Sequence, residues 1–96
     1  MKQPCVYILS NHVRGTLYIG VTSDLIGRVY QHKHDLVNGF SKQNQLHLLV
    51  YFEVAQTMLA AIAREKQLKK WNRAWKIELI EENNSDWRDL YLNLVP

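Results

Sequence analysis

The order of hydrophobic and polar positions along the chain predicts three short strands. Two runs rich in β-branched and aromatic residues, Cys5 to Leu9 and Thr16 to Val21, are separated by turn-forming residues and therefore predict a β-hairpin. Both runs are apolar at nearly every position, which is typical of strands covered on both faces. A third run, Leu48 to Phe52, predicts another strand.

Helical periodicity follows the hairpin and returns after the third strand. Thr22-Ser23-Asp24 supplies capping chemistry for a first helix, which we expect to continue as far as Asn38-Gly39. Its apolar stripe consists of Leu25, Val29, His32 and Leu36. Residues 57–71 and 74–82 predict two further helices, and a short one is expected after Ser85-Asp86. This order predicts a small α/β domain in which helices flank a three-stranded, mainly antiparallel sheet.

Composition is that of an ordinary globular protein. The chain has 96 residues, of which 47% are hydrophobic and 22% charged, so we expect one domain over residues 1–96 rather than a disordered segment. The longest mostly apolar stretch, residues 46–52, is too short to cross a membrane, and no secretory signal is recognised. Cys5 is the only cysteine, which excludes an internal disulfide and a cysteine-based zinc site and favours a cytoplasmic protein.

Charge is distributed unevenly, although the whole chain carries only +3. Residues 1–77 carry +7, whereas residues 78–96 carry −4. The cationic part could face a polyanion, and the acidic end would then be turned away from it. The alternative is that the basic side chains form only the solvated face of a helix. They are Arg64, Lys66, Lys69, Lys70, Arg73 and Lys76.

Four residues in the first half of the chain depart from a plain core pattern. Arg28 and His32 lie one helical turn apart, so they share a helix face and could contact the same ligand. Tyr7 and Tyr18 are central in the hairpin strands, and the expected pairing brings both phenols to the same face of the sheet. Each residue also has an ordinary interpretation, as a hydrogen-bonded boundary histidine, a surface ion pair or packed aromatic rings.

Glu65 is surrounded by apolar positions in the helical pattern. Ala61, Ile62 and Leu68 recur around it, so its carboxylate is expected to project toward the buried side of the helix. A carboxylate in that place needs a cation, a metal or hydrogen-bond donors. Metal binding and an ion pair with Arg28 or another arginine are both compatible with the pattern.

Together these residues resemble the GIY-YIG nuclease superfamily. Cys5-Val6-Tyr7 stands at the place of its first motif, and Tyr18-Ile19-Gly20 is its second motif intact. Arg28 and His32 follow at the spacing of the family's first helix, and Glu65 is similar to the family's metal-binding glutamate. The resemblance extends over nearly the whole chain.

The resemblance implies a metal-dependent endonuclease that hydrolyses DNA phosphodiester bonds and leaves a 5′-phosphate. It implies that Glu65 holds Mg²⁺ or Mn²⁺ and that Arg28 contacts the phosphate. It makes Tyr18 the general base, assisted by Tyr7 or His32, although His32 is an equally good base because imidazole titrates near neutrality. Neither a membrane nor a small-molecule cofactor is expected. DNA is the expected partner, held in part by Lys69, Lys70, Arg73 and Lys76.

Three departures from the family pattern bear on activity. Cys5 replaces the glycine of the first motif, and Val21 stands where many relatives have a lysine. The asparagine that completes the family's site has no direct match: Lys76 stands at its expected distance from Glu65, and Asn72 and Asn84 are displaced candidates. The alternative function is therefore a DNA- or RNA-binding module of the same fold with weak or no catalysis. A protein-interaction adaptor, with exposed Trp71, Trp75 and Trp87 as anchors, ranks last.

Overall fold

The computed structural model describes residues 2–96, and in this range the chain forms an antiparallel sheet with helices on both sides. The elements in chain order are β1 (Cys5–Ser10), β2 (Leu17–Thr22), α1 (Leu25–Lys33), α2 (Phe40–Gln43), β3 (Leu48–Val54), α3 (Met58–Lys70), α4 (Arg73–Asn83) and a 3-10 helix (Leu90–Asn93). The strand order is β2-β1-β3, and both neighbours run antiparallel to β1. The predicted α/β architecture is confirmed.

The predicted hairpin is formed by β1 and β2, and local bonds close its turn. Every residue of β1 pairs with a residue of β2. Asn11 Oδ1 accepts a hydrogen bond from Thr16 N at 3.0 Å, and Gly15 N donates to the His12 carbonyl at 2.9 Å. A Cβ atom on Gly15 would lie 2.0 Å from Asn11 Oδ1, so the closed turn requires glycine there.

Side chains of the central strand alternate between two buried layers. The layer beside α1 contains Cys5, Tyr7, Leu9, Leu25, Val29, Leu46 and Leu49. The layer beside α3 and α4 contains Val6, Ile8, Ile19, Val50, Tyr51, Ala61, Leu68, Ile80 and Trp87. The sheet is therefore covered on both faces, as its apolar strands predicted.

The first helix is shorter than the sequence pattern predicted. It ends at Lys33 in a Schellman motif, because Asp35 has a φ of 55° and Leu36 N donates to the Gln31 carbonyl at 2.8 Å. Leu36, which was expected on the apolar stripe, is 64% exposed. The segment between Gly39 and β3, for which no helix was predicted, contains the short helix α2.

The two later helices lie close to their predicted ranges, and both begin at polar caps. Thr57 Oγ1 accepts from Ala60 N at 3.1 Å at the start of α3, and Asn72 Oδ1 accepts from Trp75 N at 2.9 Å at the start of α4. The short helix expected after Ser85-Asp86 is present as the 3-10 helix. Within residues 2–96, no helix is both long and apolar enough to span a membrane.

Candidate active site

Tyr7 and Tyr18 lie on the face of the sheet that α1 covers, which confirms the predicted common face. Their ring centroids are 6.2 Å apart. Tyr7 stands opposite Gly20 in the β1–β2 register, and a Cβ atom on Gly20 would lie 2.5 Å from the Tyr7 Cζ and Oη atoms. Gly20 therefore leaves the space through which the Tyr7 phenol crosses β2.

His32 extends from the buried side of α1 to both tyrosines. Its ring centroid lies 5.8 Å from that of Tyr7 and 5.4 Å from that of Tyr18. Its Nε2 atom is 3.0 Å from the Tyr7 hydroxyl oxygen, and its Nδ1 atom is 2.9 Å from Ser41 Oγ. The residue is only 2% exposed. Both ring nitrogens are thus hydrogen-bonded to protein atoms and away from solvent.

Burial favours the uncharged forms of Tyr7 and His32. It lowers the pKa of His32 to about 4, with smaller contributions in the same direction from the charges of Arg28 and His47. It raises the pKa of Tyr7 to about 12; Tyr18 adds to this rise and Arg28 opposes it. At neutral pH the hydrogen-bonded Tyr7–His32 pair therefore carries no charge.

Tyr18 and Arg28 form the partly exposed rim of this cluster. Arg28 Nη1 donates to Gln31 Oε1 at 3.2 Å. The Arg28 charge acts on the titration of both Tyr7 and His32, as expected for a guanidinium beside the buried pair. A planar cation at the rim of a cluster of phenols is suited to contact a phosphate group.

Glu65 is held by α3, which packs on the opposite face of the sheet from α1. The Glu65 side chain is 15% exposed, and its carboxylate lies 3.5 Å from Lys69 Nζ one helical turn later. Its ion pair is therefore with a lysine, and the alternative of an arginine partner is wrong. Within residues 2–96, no hydrogen bond or ion pair joins Glu65 to the cluster of tyrosines, arginine and histidine.

The Glu65 carboxylate fits a hard cation that keeps most of its water. In the described part of the chain, no group of three or more His, Cys, Asp or Glu side chains could hold a metal ion. A cage built wholly of protein ligands does not fit these residues. Mg²⁺ commonly takes one or two carboxylates and completes its shell with water and phosphate oxygens. Glu65, which is partly buried and weakly paired, could supply one such ligand.

Comparison with known proteins identifies a family for this chain. Residues 3–78 match the family described as the GIY-YIG catalytic domain. The chain belongs to the GIY-YIG family. It is 32% identical over 84 residues to a UPF0213 protein of Syntrophus aciditrophicus (strain SB), which covers 86% of this chain and 95% of that protein. It is 34% identical over 68 residues to a UPF0213 protein of Staphylococcus aureus (strain Mu3 / ATCC 700698), with 71% and 83% covered. No solved structure matches the chain.

Two of the three candidates for the GIY-YIG asparagine, Asn72 and Asn84, make structural hydrogen bonds. Asn72 caps α4. Asn84 is 4% exposed, and its side-chain amide donates to the carbonyls of Val50 at 3.0 Å and Arg88 at 2.9 Å. The third candidate, Lys76, is half-buried on α4. The side-chain oxygen of Asn72 and the whole side-chain amide of Asn84 are thus hydrogen-bonded within local structure.

The candidate phosphate-binding residues of this GIY-YIG chain differ in whether their side chains already have partners within the protein. Lys70 is exposed, whereas Lys69 pairs with Glu65. The Arg73 guanidinium donates to the carbonyls of Arg14 and Gly15, the second at 2.8 Å. Arg73 therefore ties α4 to the hairpin turn, and Lys70 and Lys76 have no comparable bond among the described residues.

The tryptophans do not form the three-anchor surface that an adaptor would need. Trp87 is 3% exposed, and its Nε1 donates to Glu81 Oε2 at 2.7 Å. Trp71 is half-buried and meets Trp75 edge to face, with centroids 5.9 Å apart. Trp75 alone among the three is mostly exposed, at 55%. Trp87 belongs to the core, so the adaptor alternative, which ranked last from the sequence, lacks one of the three anchors it requires.

Sequence reasoning missed Ser41. This residue lies in α2, within a segment that has no helical or strand periodicity, and it reaches His32 across nine positions of chain. A buried serine in a polar segment carries no signal of its own in the sequence.

Proposed function

We propose that this GIY-YIG protein is a metal-dependent endonuclease that hydrolyses DNA phosphodiester bonds. The observation that carries the proposal is the cluster of Tyr7, Tyr18 and His32 beside Arg28, whose three rings have centroids 5.4–6.2 Å apart. Polar groups lose hydrogen bonds with water when they are gathered in this way, so a plain core would not collect them. Such a cluster is typical of a site that accepts a proton beside an anion.

Tyr18 is the general base in this proposal. It is partly exposed, whereas Tyr7 is 1% exposed and both nitrogens of His32 already have partners. An attacking water can therefore meet the Tyr18 hydroxyl directly, while it could reach His32 only through another side chain. Tyr7 and His32, which are buried, uncharged and hydrogen-bonded to each other, lie beside the Tyr18 ring and fix its position. The burial of His32 thus favours Tyr18 over His32, which the sequence left equal.

Arg28 binds the phosphate through its guanidinium, and Glu65 would hold Mg²⁺ or Mn²⁺. The two groups come from helices on opposite faces, but α3 packs against β2, the edge strand that carries Tyr18, so a phosphate at this edge could meet both. When bound, the metal would supply a Lewis acid for the negative charge on the phosphate. The water oxygen forms the new bond to phosphorus, and its proton passes to Tyr18, which accepts it in the deprotonated, phenolate form. The bond from phosphorus to the 3′ oxygen breaks, and the leaving 3′ oxygen takes a proton from a second water, which leaves a 3′ hydroxyl and a 5′-phosphate.

The second candidate function is a DNA- or RNA-binding module of the same fold with weak or no catalysis. It is favoured by Lys76, which stands at the expected distance of the family's asparagine from Glu65. The hydrogen bonds of Asn72 and Asn84, the displaced candidates, support it further because they hold these side chains in local structure. A protein of this kind would bind nucleic acid and leave it intact in Mg²⁺ and in Mn²⁺.

The experiment compares the parent with Glu65→Gln on supercoiled, branched and single-stranded DNA, in Mg²⁺ and in EDTA. We expect nicking by the parent in Mg²⁺ only, and its loss in Glu65→Gln. The variant should bind DNA as well as the parent or better, since a negative charge near the phosphates is removed. Melting temperature in EDTA should change little, because a pair such as Glu65–Lys69 contributes only about 0.3–0.5 kcal/mol.

Glu82→Gln is the matched control, because it removes the same charge from an exposed position on α4. It should nick as the parent does. Unchanged nicking by Glu65→Gln, together with lower stability, would overturn the metal-ligand assignment. Binding without nicking by the parent on every substrate would select the second candidate function.

A further inference from the structure

A serine outside every motif discussed above completes the buried hydrogen-bond chain behind the cluster. Ser41 is 4% exposed, His32 2% and Tyr7 1%. The chain runs from the Tyr7 hydroxyl to His32 Nε2 at 3.0 Å and from His32 Nδ1 to Ser41 Oγ at 2.9 Å. Because neither end of the imidazole reaches solvent, these two neighbours alone decide which ring nitrogen carries the proton.

We propose that Ser41 is a positioning residue that fixes the tautomer and orientation of His32, and through it the direction of the Tyr7 hydroxyl group. The Nδ1–H group donates to Ser41 Oγ, so Nε2 is unprotonated and accepts the Tyr7 O–H group. This inference rests on the proposed function for its catalytic consequence, but the arrangement of protons can be measured without any reaction.

The direction of the chain follows from the groups around Tyr7. Burial keeps the Tyr7 phenol protonated at neutral pH, and the Arg28 guanidinium offers only donors to its oxygen. The only side-chain donor of Tyr7 is its O–H group, which has two acceptors within reach, the Tyr18 hydroxyl oxygen and His32 Nε2. An unprotonated imidazole nitrogen is a stronger acceptor than a phenol oxygen, so we assign the Tyr7 O–H group to Nε2. With Nε2 used as an acceptor, a neutral His32 must carry its proton on Nδ1, where Ser41 Oγ is the acceptor.

Ser41 is also held firmly enough to act in this way. Its backbone carbonyl accepts from Leu46 N at 3.0 Å, and the Leu46 side chain is fully buried in the layer of Tyr7 and Val29. The hydroxyl is thus placed by the fold of the α2 segment, and His32 does not have to recruit a mobile side chain. A fixed acceptor is what orienting a histidine ring requires.

The test uses Ser41→Ala and Ser41→Thr, read by the ¹⁵N shifts of the His32 ring nitrogens in labelled protein. We expect a proton on Nδ1 in the parent and in Ser41→Thr, which keeps a hydroxyl group. Ser41→Ala should move the proton to Nε2 or give a mixture of tautomers. Nicking by Ser41→Ala should fall roughly tenfold or more at unchanged DNA affinity, and Ser41→Thr should recover it.

Ser10→Ala is the matched control, because Ser10 is also fully buried but its Oγ donates to the His12 carbonyl at 2.7 Å, away from His32. It should change neither the tautomer nor nicking. A parent with the proton on Nε2, or a Ser41→Ala variant with the parent's tautomer, would overturn the inference. Full nicking by Ser41→Ala would overturn its catalytic consequence. If the parent does not nick DNA, the proposed function fails, and the tautomer measurement still decides the role of Ser41.

Discussion

At the residue scale, the burial of His32 links the candidate site to the stability of the fold. The neutral imidazole, with both nitrogens hydrogen-bonded, is favoured at this buried position. The protonated form is disfavoured, because burial and the Arg28 charge both oppose the added proton. The protonation of His32 should therefore also affect the free energy of unfolding, which can be measured without an activity assay.

We predict that the protein loses stability as the pH falls from about 6.5 toward 4. The unfolded chain binds a proton at His32 near the ordinary value of 6.5, but burial lowers the folded pKa to about 4. In this window the unfolded state binds more protons, so the free energy of unfolding decreases with falling pH. Between pH 7 and pH 5 the loss from this residue should be about 1–2 kcal/mol.

The measurement is the free energy of unfolding in urea at several pH values, for the parent and for His32→Gln. The variant will be less stable throughout, since it loses the bonds to Tyr7 and Ser41, but it should lack this part of the pH dependence. The other histidines are common to both proteins and cancel in the comparison. Parallel pH profiles would show that His32 titrates normally in the folded state.

The sequence could group Tyr7, Tyr18, Arg28 and His32 because their relations are short-range. Strand alternation places the two phenols on one face, and a separation of four places the other two on one helix face. Ser41 could not be found in this way. Its contact with His32 depends on how a segment without periodicity folds back, and tertiary packing decides that.

At the element scale, the strands and long helices could be predicted, and the ends that depend on single residues could not. Both hairpin strands and α3 lie within a residue or so of their predicted bounds. The end of α1 was placed too late, because Asn38-Gly39 is a common stop signal and the left-handed conformation of Asp35 has no comparable signal. Elements are encoded by repeated patterns, whereas this helix end is set by one backbone conformation.

We predict that Asn84 is a structural residue whose loss weakens the attachment of α4 to the sheet. Its amide donates to the Val50 carbonyl in β3 and to the Arg88 carbonyl, and its Oδ1 accepts from Arg88 N at 3.0 Å. Asn84→Ala leaves buried partners unsatisfied and should lower the free energy of unfolding by about 2–3 kcal/mol. Nicking by the folded fraction should be unchanged.

Chemical denaturation and nicking assays on the same preparations test this prediction. The neighbouring Asn83→Ala is the control, because Asn83 is exposed and its replacement should change stability by less than about 0.5 kcal/mol. An Asn84→Ala protein of normal stability without nicking would instead make Asn84 the asparagine of the GIY-YIG site.

At the scale of the whole molecule, ion pairs join the acidic end of the chain to its basic first half. Glu81 accepts from Arg14 Nη2 at 2.9 Å and Nε at 3.0 Å, and the Asp89 carboxylate pairs with Lys33. These pairs neutralise two of the five acidic residues after position 77. Some of the opposite charges in the basic and acidic parts of the sequence therefore pair with each other within the fold. Only the cations outside these pairs are free to contact a polyanion.

The free cations lead to a prediction for DNA binding. Lys70 and Lys76 lie at the end of α3 and on α4, and neither has an ion-pair partner among residues 2–96. Arg73 between them is held by the hairpin turn and is better left unchanged. We expect duplex affinity to fall steeply with salt, and the double variant Lys70→Gln/Lys76→Gln to bind more weakly with a salt slope smaller by roughly 2, since each lost phosphate contact releases about one counterion fewer.

The matched control for this prediction is Lys2→Gln/Arg88→Gln, which removes the same charge from exposed side chains elsewhere. Its affinity and slope should stay closer to those of the parent, because contacts with phosphate depend on where the charge lies and not only on its sum. Fluorescence anisotropy with a labelled duplex from 50 to about 200 mM salt covers the range in which phosphate contacts dominate affinity. Equal losses of DNA affinity in both double variants would show that binding depends on net charge and not on the positions of Lys70 and Lys76. An affinity of the parent that does not change over this range would mean that DNA, if bound, is held by contacts other than those with its phosphates.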